Sequence, residues 1–317
     1  MGFCRYCGKK AGWFSDDHEA CVISSQKGCE QVASLVASST SEKLVPPPGH
    51  PDSDDWYSSF AGQACSEAKP TIDQITTEHR IPPDDLHKAL LRGWSTGAER
   101  VGLAEPLSPD RQTAIMAFAR AIGLVDQETC KTDGFRAITL SMLLWSVMVH
   151  GDPTPVAYVP QHPFNLKAGE IPLMFFGSVV YSQETVSRAY QGGYGGMSVR
   201  VGRGMYYHFG GFKGQRIDTA TLKEIDYGGM LLTTQNIYFG GEHRTFRIPY
   251  EHVVSFRPHA DGIGLFRDAA NAKVEVFTVL LPDCNGKPVN APPMFGWFLF
   301  NVAHFLAQPE ARALYGK

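Results

Sequence analysis

"GGMLLTTQNIYFGGEHRTFRIPY", residues 228–250, decides how the second half of this chain folds. It reads as strand, turn, strand. Phe246, Ile248 and Tyr250 alternate with Arg247 and Pro249, which is the period of a half-buried strand. Gly240-Gly241 fall where a two-residue hairpin turn requires positive φ. Upstream, "MSVRVGRGMYYHFGGFKGQRI" (197–217) puts Val199 and Val201 on one face, Ser198 and Arg200 on the other. Downstream, "GIGLFRD" (262–268) and "AKVEVFTVL" (272–280) read as two more strands. The end, "PMFGWFLFNVAHFLAQPEARAL" (293–314), is an amphipathic helix with Phe295, Phe298, Val302 and Phe305 on one face.

Roughly seven strands followed by such a helix are expected to form a β-barrel that the helix closes, covering apolar surface that strands alone leave wet. The stretch 228–268 resembles the core of bacterial PH-like and GRAM-like domains. Gly229, Leu231, Thr234 and Phe239 follow that core's pattern, and Ile248-Pro249-Tyr250 its closing segment. Over about 165–310 the chain is similar to a bacterial family that carries a zinc-ribbon-like module ahead of a PH-like domain. The resemblance implies a fold more than an activity.

The other informative stretch is "CRYCGKKAGWFSDDHEAC", residues 4–21. Cys4-x-x-Cys7 has the spacing of a metal knuckle, and Gly8 suits the tight turn behind it. His18-x-x-Cys21 spans one helical turn, which turns both side chains to one metal; Asp16 or Asp17 is placed to cap that helix. Cys4, Cys7, His18 and Cys21 are therefore the expected ligands of a structural Zn2+, a closed set with no position left for substrate water. Three alternatives stand beside it: a redox cysteine pair, chance clustering, and a site in which Cys29 replaces His18 or Cys21. The stretch resembles the short zinc-ribbon modules found in many bacterial proteins.

Between these ends the reading is coarser. Residues 22–37 can continue as a helix, completing a module over 1–37. Residues 38–70, rich in Ser, Pro, Asp and Gly, read as a linker, with Trp56, Tyr57 and Phe60 as docking exceptions. Residues 71–150 read as an all-helical domain. Within it Ser108 and Pro109 mark a helix start, and Ile115, Phe118, Ala119 and Ile122 form an apolar stripe. The Leu-Ser-Pro-Asp-Arg-Gln segment loosely resembles the helical domain of TerB proteins. His87 and His150 read as structural histidines. Residues 151–170 read as a Pro-rich linker, leaving 171–317 for the PH-like barrel. The expected class is thus α+β multidomain.

Of the 317 residues, 43% are hydrophobic and 19% charged, with a formal net charge of −3. That balance suits a globular protein and does not draw the whole chain to nucleic acid or anionic membrane. Seven scattered cysteines and no export signal argue for the cytoplasm over a disulfide framework. The Gly-rich "GGYGG" (192–196) precedes a strand, so it reads as a turn, not a phosphate loop. Arg200, Arg203, His208, Lys213 and Arg216 form a basic patch able to meet lipid headgroups or to stand solvated. No hydrolase elbow, Walker loop or metalloprotease motif is present. The expectation is a non-catalytic cytoplasmic adaptor that binds protein partners through the PH-like barrel and zinc module. Nucleic-acid binding at the zinc end, where Arg5, Lys9 and Lys10 flank Tyr6 and Trp13, and membrane-surface recruitment by the basic patch are the alternatives.

Overall fold

The computed structural model describes residues 2–11, 16–51, 53–151, 162–186, 197–202, 205–209, 220–268, 273–283 and 285–315. The chain is α+β and divides into two compact units: residues 1–102 with 107–142, and residues 103–106 with 143–317. No helix among the described residues is long and apolar enough to cross a membrane.

The first unit is helical: α1 (Glu19–Ser38), α2 (Asp54–His79), α3 (Pro83–Ala104), α4 (Pro109–Ala121), the short α5 (Asp126–Thr129) and α6 (Asp133–Trp145). Local chemistry sets several ends. Ser108 caps α4 by accepting a hydrogen bond from the Arg111 N–H, with Pro109 in the first turn, as its sequence signals. Ser53 caps α2 through the Trp56 N–H. The core gathers Val32, Val36, Leu44, Trp94, Leu107, Ile115, Phe118 and Ile138. Trp94 is fully buried and satisfies its indole by donating to the Ile115 carbonyl, 3.1 Å away.

α1 and α3 cross on small residues. A Cβ added at Gly93 would lie 2.5 Å from the Ala33 carbonyl oxygen, and one at Gly97 would lie 2.6 Å from that of Ala37. Only glycine lets the two backbones approach this closely. α1 is thereby part of the helical core and not simply a stalk behind residues 4–21.

The linker expected over 38–70 is not one along its whole length. Residues 54–70 lie in α2, which buries Tyr57, Ala61, Ala64, Ala68 and Ile72 against the core. Trp56 stacks between His50, at 4.3 Å, and Phe60, at 5.0 Å, so these aromatics dock the start of the helix.

The second unit holds an antiparallel sheet: β1 (Pro172–Val186), β4 (Ala220–Thr233), β5 (Asn236–Gly241), β6 (Thr245–Pro249), β7 (Val253–His259), β8 (Gly262–Arg267), β9 (Glu275–Pro282) and β10 (Pro288–Asn290). The separate hairpin of β2 (Met197–Gly202) and β3 (Met205–Phe209) interrupts the chain between β1 and β4. The sheet runs β6-β5-β4-β1-β9-β8-β7, with β10 on β9. Two meanders therefore meet at the long central strand β1. Two helices end the chain, α7 (Pro293–Leu306) and α8 (Pro309–Tyr315).

The sheet curls strongly. β6 and β9 are four strands apart, which a flat sheet would hold about 19 Å from each other. Yet Phe246 of β6 and Phe277 of β9 bring their ring centroids to 6.4 Å, and Tyr181 and Phe239 complete the cluster. Register shifts in the β1–β4 ladder at Phe176/Val179 and Tyr181/Ser182 supply bends of the kind β-bulges make. The expected closed barrel is nevertheless not formed. The path of ladders ends at β6 on one side and β7 on the other, and no ladder joins those edges among the described residues. α7 packs against β7 and β8, with Gly296 against the backbone of His259 and Ala260, and Phe295 meets Phe176 edge-on at 6.3 Å. Residues 162–170 of the expected Pro-rich linker also pack on this unit, since Phe164 is buried against Leu231 and Tyr238.

Gly240-Gly241 are not the hairpin turn. Both belong to β5, and neither has positive φ. The chain reverses through 242–244, where one oxygen of Asp226 accepts the N–H groups of His243 and Arg244 at 2.9 and 2.7 Å. Gly241 is needed for clearance: an added Cβ would lie 2.5 Å from that carboxylate.

Gly93→Val is expected to lower the stability of the helical unit by roughly 1–3 kcal/mol, the usual range for overpacking. Gly62→Ala, whose added carbon meets nothing within 4 Å in α2, is expected to raise it by about 0.5–1 kcal/mol. Chemical denaturation of the two variants checks both signs.

Candidate metal centre

The knuckle forms as its sequence implies. Phe3 and Lys10 make an antiparallel bridge, the Cys4 N–H donates to the Lys9 carbonyl at 2.8 Å, and the Gly8 N–H returns to the Cys4 carbonyl at 2.8 Å. Gly8 takes φ +67°, a conformation that glycine adopts without strain. His18 stands at the N-cap of α1 and Cys21 in its first turn, so the helix start projects the second ligand pair.

Cys4, Cys7, His18 and Cys21 converge. One ligand atom from each lies within 4.8 Å of the others. Around a tetrahedral Zn2+, with bonds near 2.3 Å to sulfur and 2.0 Å to nitrogen, ligand atoms stand roughly 3.5–3.8 Å apart. Nδ1 of His18 lies 3.3 Å from the Cys7 sulfur and 3.9 Å from the Cys21 sulfur, bracketing that spacing. The imidazole is oriented from behind. Its Nε2 lies 3.2 Å from the Lys10 carbonyl, which can only accept, so Nε2 carries the proton and Nδ1 faces the sulfurs. These residues can hold a metal ion, and three sulfurs with one imidazole suit zinc. Cys29 is elsewhere: its thiol lies 3.8 Å from the Asp85 carbonyl, outside the cluster.

The four groups shift one another's protonation in opposite directions. Burial raises the Cys4 thiol pKa, but hydrogen bonds from the backbone at His18, Tyr6 and Cys7 outweigh it and hold the pKa down to about 6. Cys21 is pushed up, first by burial and then by the neighbouring Cys7 and Cys4 sulfurs. The hydrogen bond to Cys7 raises His18. A divalent cation held by these four residues would displace their protons and relieve the crowding of negative sulfur.

The basic patch is only partly located. Arg203, Lys213 and Arg216 lie outside the described residues, as do Trp13, Phe14 and residues 192–196. Arg200 sits on β2 opposite Tyr206, and His208 on β3 opposite Ser198. Beside the Cys/His cluster Phe3, Lys9 and Lys10 are exposed, whereas Tyr6 is buried. Arg5 is engaged by Asp17 and Asp85. His87 pairs with Glu128 at 3.0 Å, and His150 stacks on Trp145, in keeping with structural roles.

Sequence reasoning passed over four buried carboxylates in the second unit, Asp226 and three glutamates. Glu170 accepts from the Asn236 amide and the Tyr238 hydroxyl at 2.7 Å, the Lys167 N–H at 2.9 Å and the Thr233 hydroxyl. Burial works against its charge, and these donors overcome it to lower its pKa. Glu184 takes Arg257 through both oxygens at 2.8 and 2.7 Å. Glu275 takes the Tyr181 hydroxyl at 2.6 Å and Arg267 at 2.7 Å. Burial, and then Glu275, push the Tyr181 hydroxyl up to about 12. The available signal was an acid inside an apolar run, as in Val274-Glu275-Val276.

Compared with known proteins, the chain matches no family model, no curated protein and no solved structure.

The purified chain is expected to hold one Zn2+, and a Cys4→Ser/Cys7→Ser chain none, by native mass spectrometry. Because each thiol must lose its proton to bind, and burial and the neighbouring sulfurs hold Cys21 above its ordinary value, Zn2+ affinity is expected to fall continuously as the pH is lowered from the alkaline side, down to about 6, where Cys4 also takes up its proton. Competition with a chromophoric chelator across the range reads it directly.

Proposed function

We propose that this protein is a non-catalytic adaptor of the cytoplasm, binding protein partners through a PH-like C-terminal domain and a structural Zn2+ module. The observation that carries this reading is the filled interior of the curled sheet. Tyr181, Phe239, Phe246 and Phe277 occupy it, and the buried acids Glu170, Glu184 and Glu275 are all held by internal donors. A cavity beside Lys167, Asn236 and Glu251 holds about 200 Å3, below the roughly 300 Å3 at which ligand pockets usually begin. Seven sheet-path strands followed by α7 support the PH-like fold. Four protein ligands would fill the positions of a tetrahedron, which supports a structural metal.

Recognition then falls to the outside. β7 ends the ladder path and carries Val254 at 64% exposure, an edge on which an extended peptide can add a strand. A second reading is contact with single-stranded nucleic acid at the zinc end. It is favoured by Phe3, 73% exposed, beside the exposed Lys9 and Lys10, which offers stacking next to charge.

Affinity capture from nuclease-treated native lysate separates the two. The intact chain is expected to retain one stoichiometric protein that Val254→Asp or Cys4→Ser/Cys7→Ser loses. Signal that disappears with nuclease, and recovers as salt is lowered on added single strands, would replace the adaptor reading with the nucleic-acid one.

A further inference from the structure

We infer that Asp17 is a positioning residue of the metal centre, holding the two ligand pairs together through Arg5. The inference rests on the Zn2+ reading above. Asp17 immediately precedes the ligand His18, and Arg5 immediately follows the ligand Cys4. One carboxylate spans the gap between the pairs. Its Oδ1 accepts the Arg5 main-chain N–H at 2.8 Å, and its Oδ2 pairs with the Arg5 Nε at 3.3 Å.

The carboxylate is not serving the helix. Asp17 lies outside α1, whose N-cap is His18 and has no side-chain cap. The guanidinium is itself oriented from two other sides. It bonds the Tyr6 hydroxyl, lies 4.6 Å over the Tyr6 ring, and reaches Asp85 at the start of α3 at 3.7 Å.

The consequence is a smaller ordering cost when the metal binds. Ten residues separate the knuckle from His18, and bringing such loop ends together carries an entropic penalty. The Asp17–Arg5 contact closes that loop. The His18–Lys10 hydrogen bond sets the ring inside it. The guanidinium also neutralises the charge of Asp17, which would otherwise oppose thiolates close by.

The test uses the full-length chain and its Asp17→Ala and Asp17→Asn variants. Zn2+ affinity is read by chelator competition, and the Co2+-substituted proteins are compared by their d–d bands. Asp17→Ala is expected to bind Zn2+ roughly 10- to 100-fold more weakly, the usual size of such second-layer effects, with altered Co2+ bands. Asp17→Asn keeps a neutral acceptor for the Arg5 N–H and is expected to fall between. Far-UV circular dichroism separates this from a loss of helix. An Asp17→Ala chain with wild-type affinity and bands overturns the positioning role and leaves the Zn2+ reading standing. A wild-type chain that takes up neither metal overturns the Zn2+ reading itself, and this inference with it.

Discussion

Three sulfurs and one imidazole nitrogen are brought within 4.8 Å at the N-terminal end, and the first unit begins from that convergence. Residues 2–11 bury only Cys4, Tyr6 and Ala11, far too little apolar surface to hold a fold. A cation can supply the missing cohesion, since thiolates this close repel one another without one. The ligands then set the phase of α1, because His18 and Cys21 stand on its first turn. Through Ala33 and Ala37, α1 in turn fixes where α3 passes. Coordination chemistry and helix packing are thus successive links of one chain of constraints.

The second unit is ordered by a different constraint, the need to fill a sheet curled tightly enough for β6 and β9 to share ring contacts. Aromatic side chains supply the volume, and Glu184 of β1 pairs with Arg257 of β7, tying two strands that are not ladder neighbours. Glu184 is buried while Arg257 is half-exposed, so it is removal of the arginine that would strand a charge.

What could be read from residues alone follows a physical line. The convergence of Cys4, Cys7, His18 and Cys21 was legible because their spacing is local and metal coordination has few solutions. The α4 start was legible for the same reason, since Ser108 and Pro109 act on their own turn. The start of α2 was hidden. Its buried stripe is Ala61, Ala64 and Ala68, at helical spacing but too small to register as hydrophobic, and Pro70 reads as a stop although the helix passes through it. Gly240-Gly241 looked like a turn because the residue that makes the real one, Asp226, lies on the neighbouring strand. Alternation announced strands but could not say that β6 and β7 stay apart, because strand partners are chosen across the whole unit. The Asp17–Arg5 grip was misassigned to helix capping, the commoner use of an aspartate in that position.

The α1–α3 crossing also limits how far damage can spread. α1 has 20 residues and is about 30 Å long. Its buried positions begin at Ser25 and Gly28, and the crossing lies farther on, at Ala33 and Ala37. Opening at the sulfur cluster would therefore unravel the knuckle and the first turns of the helix, then stop where backbone meets backbone. Loss of the sulfur cluster is thereby expected to open the start of α1 as a local unit, with the helices behind it left standing.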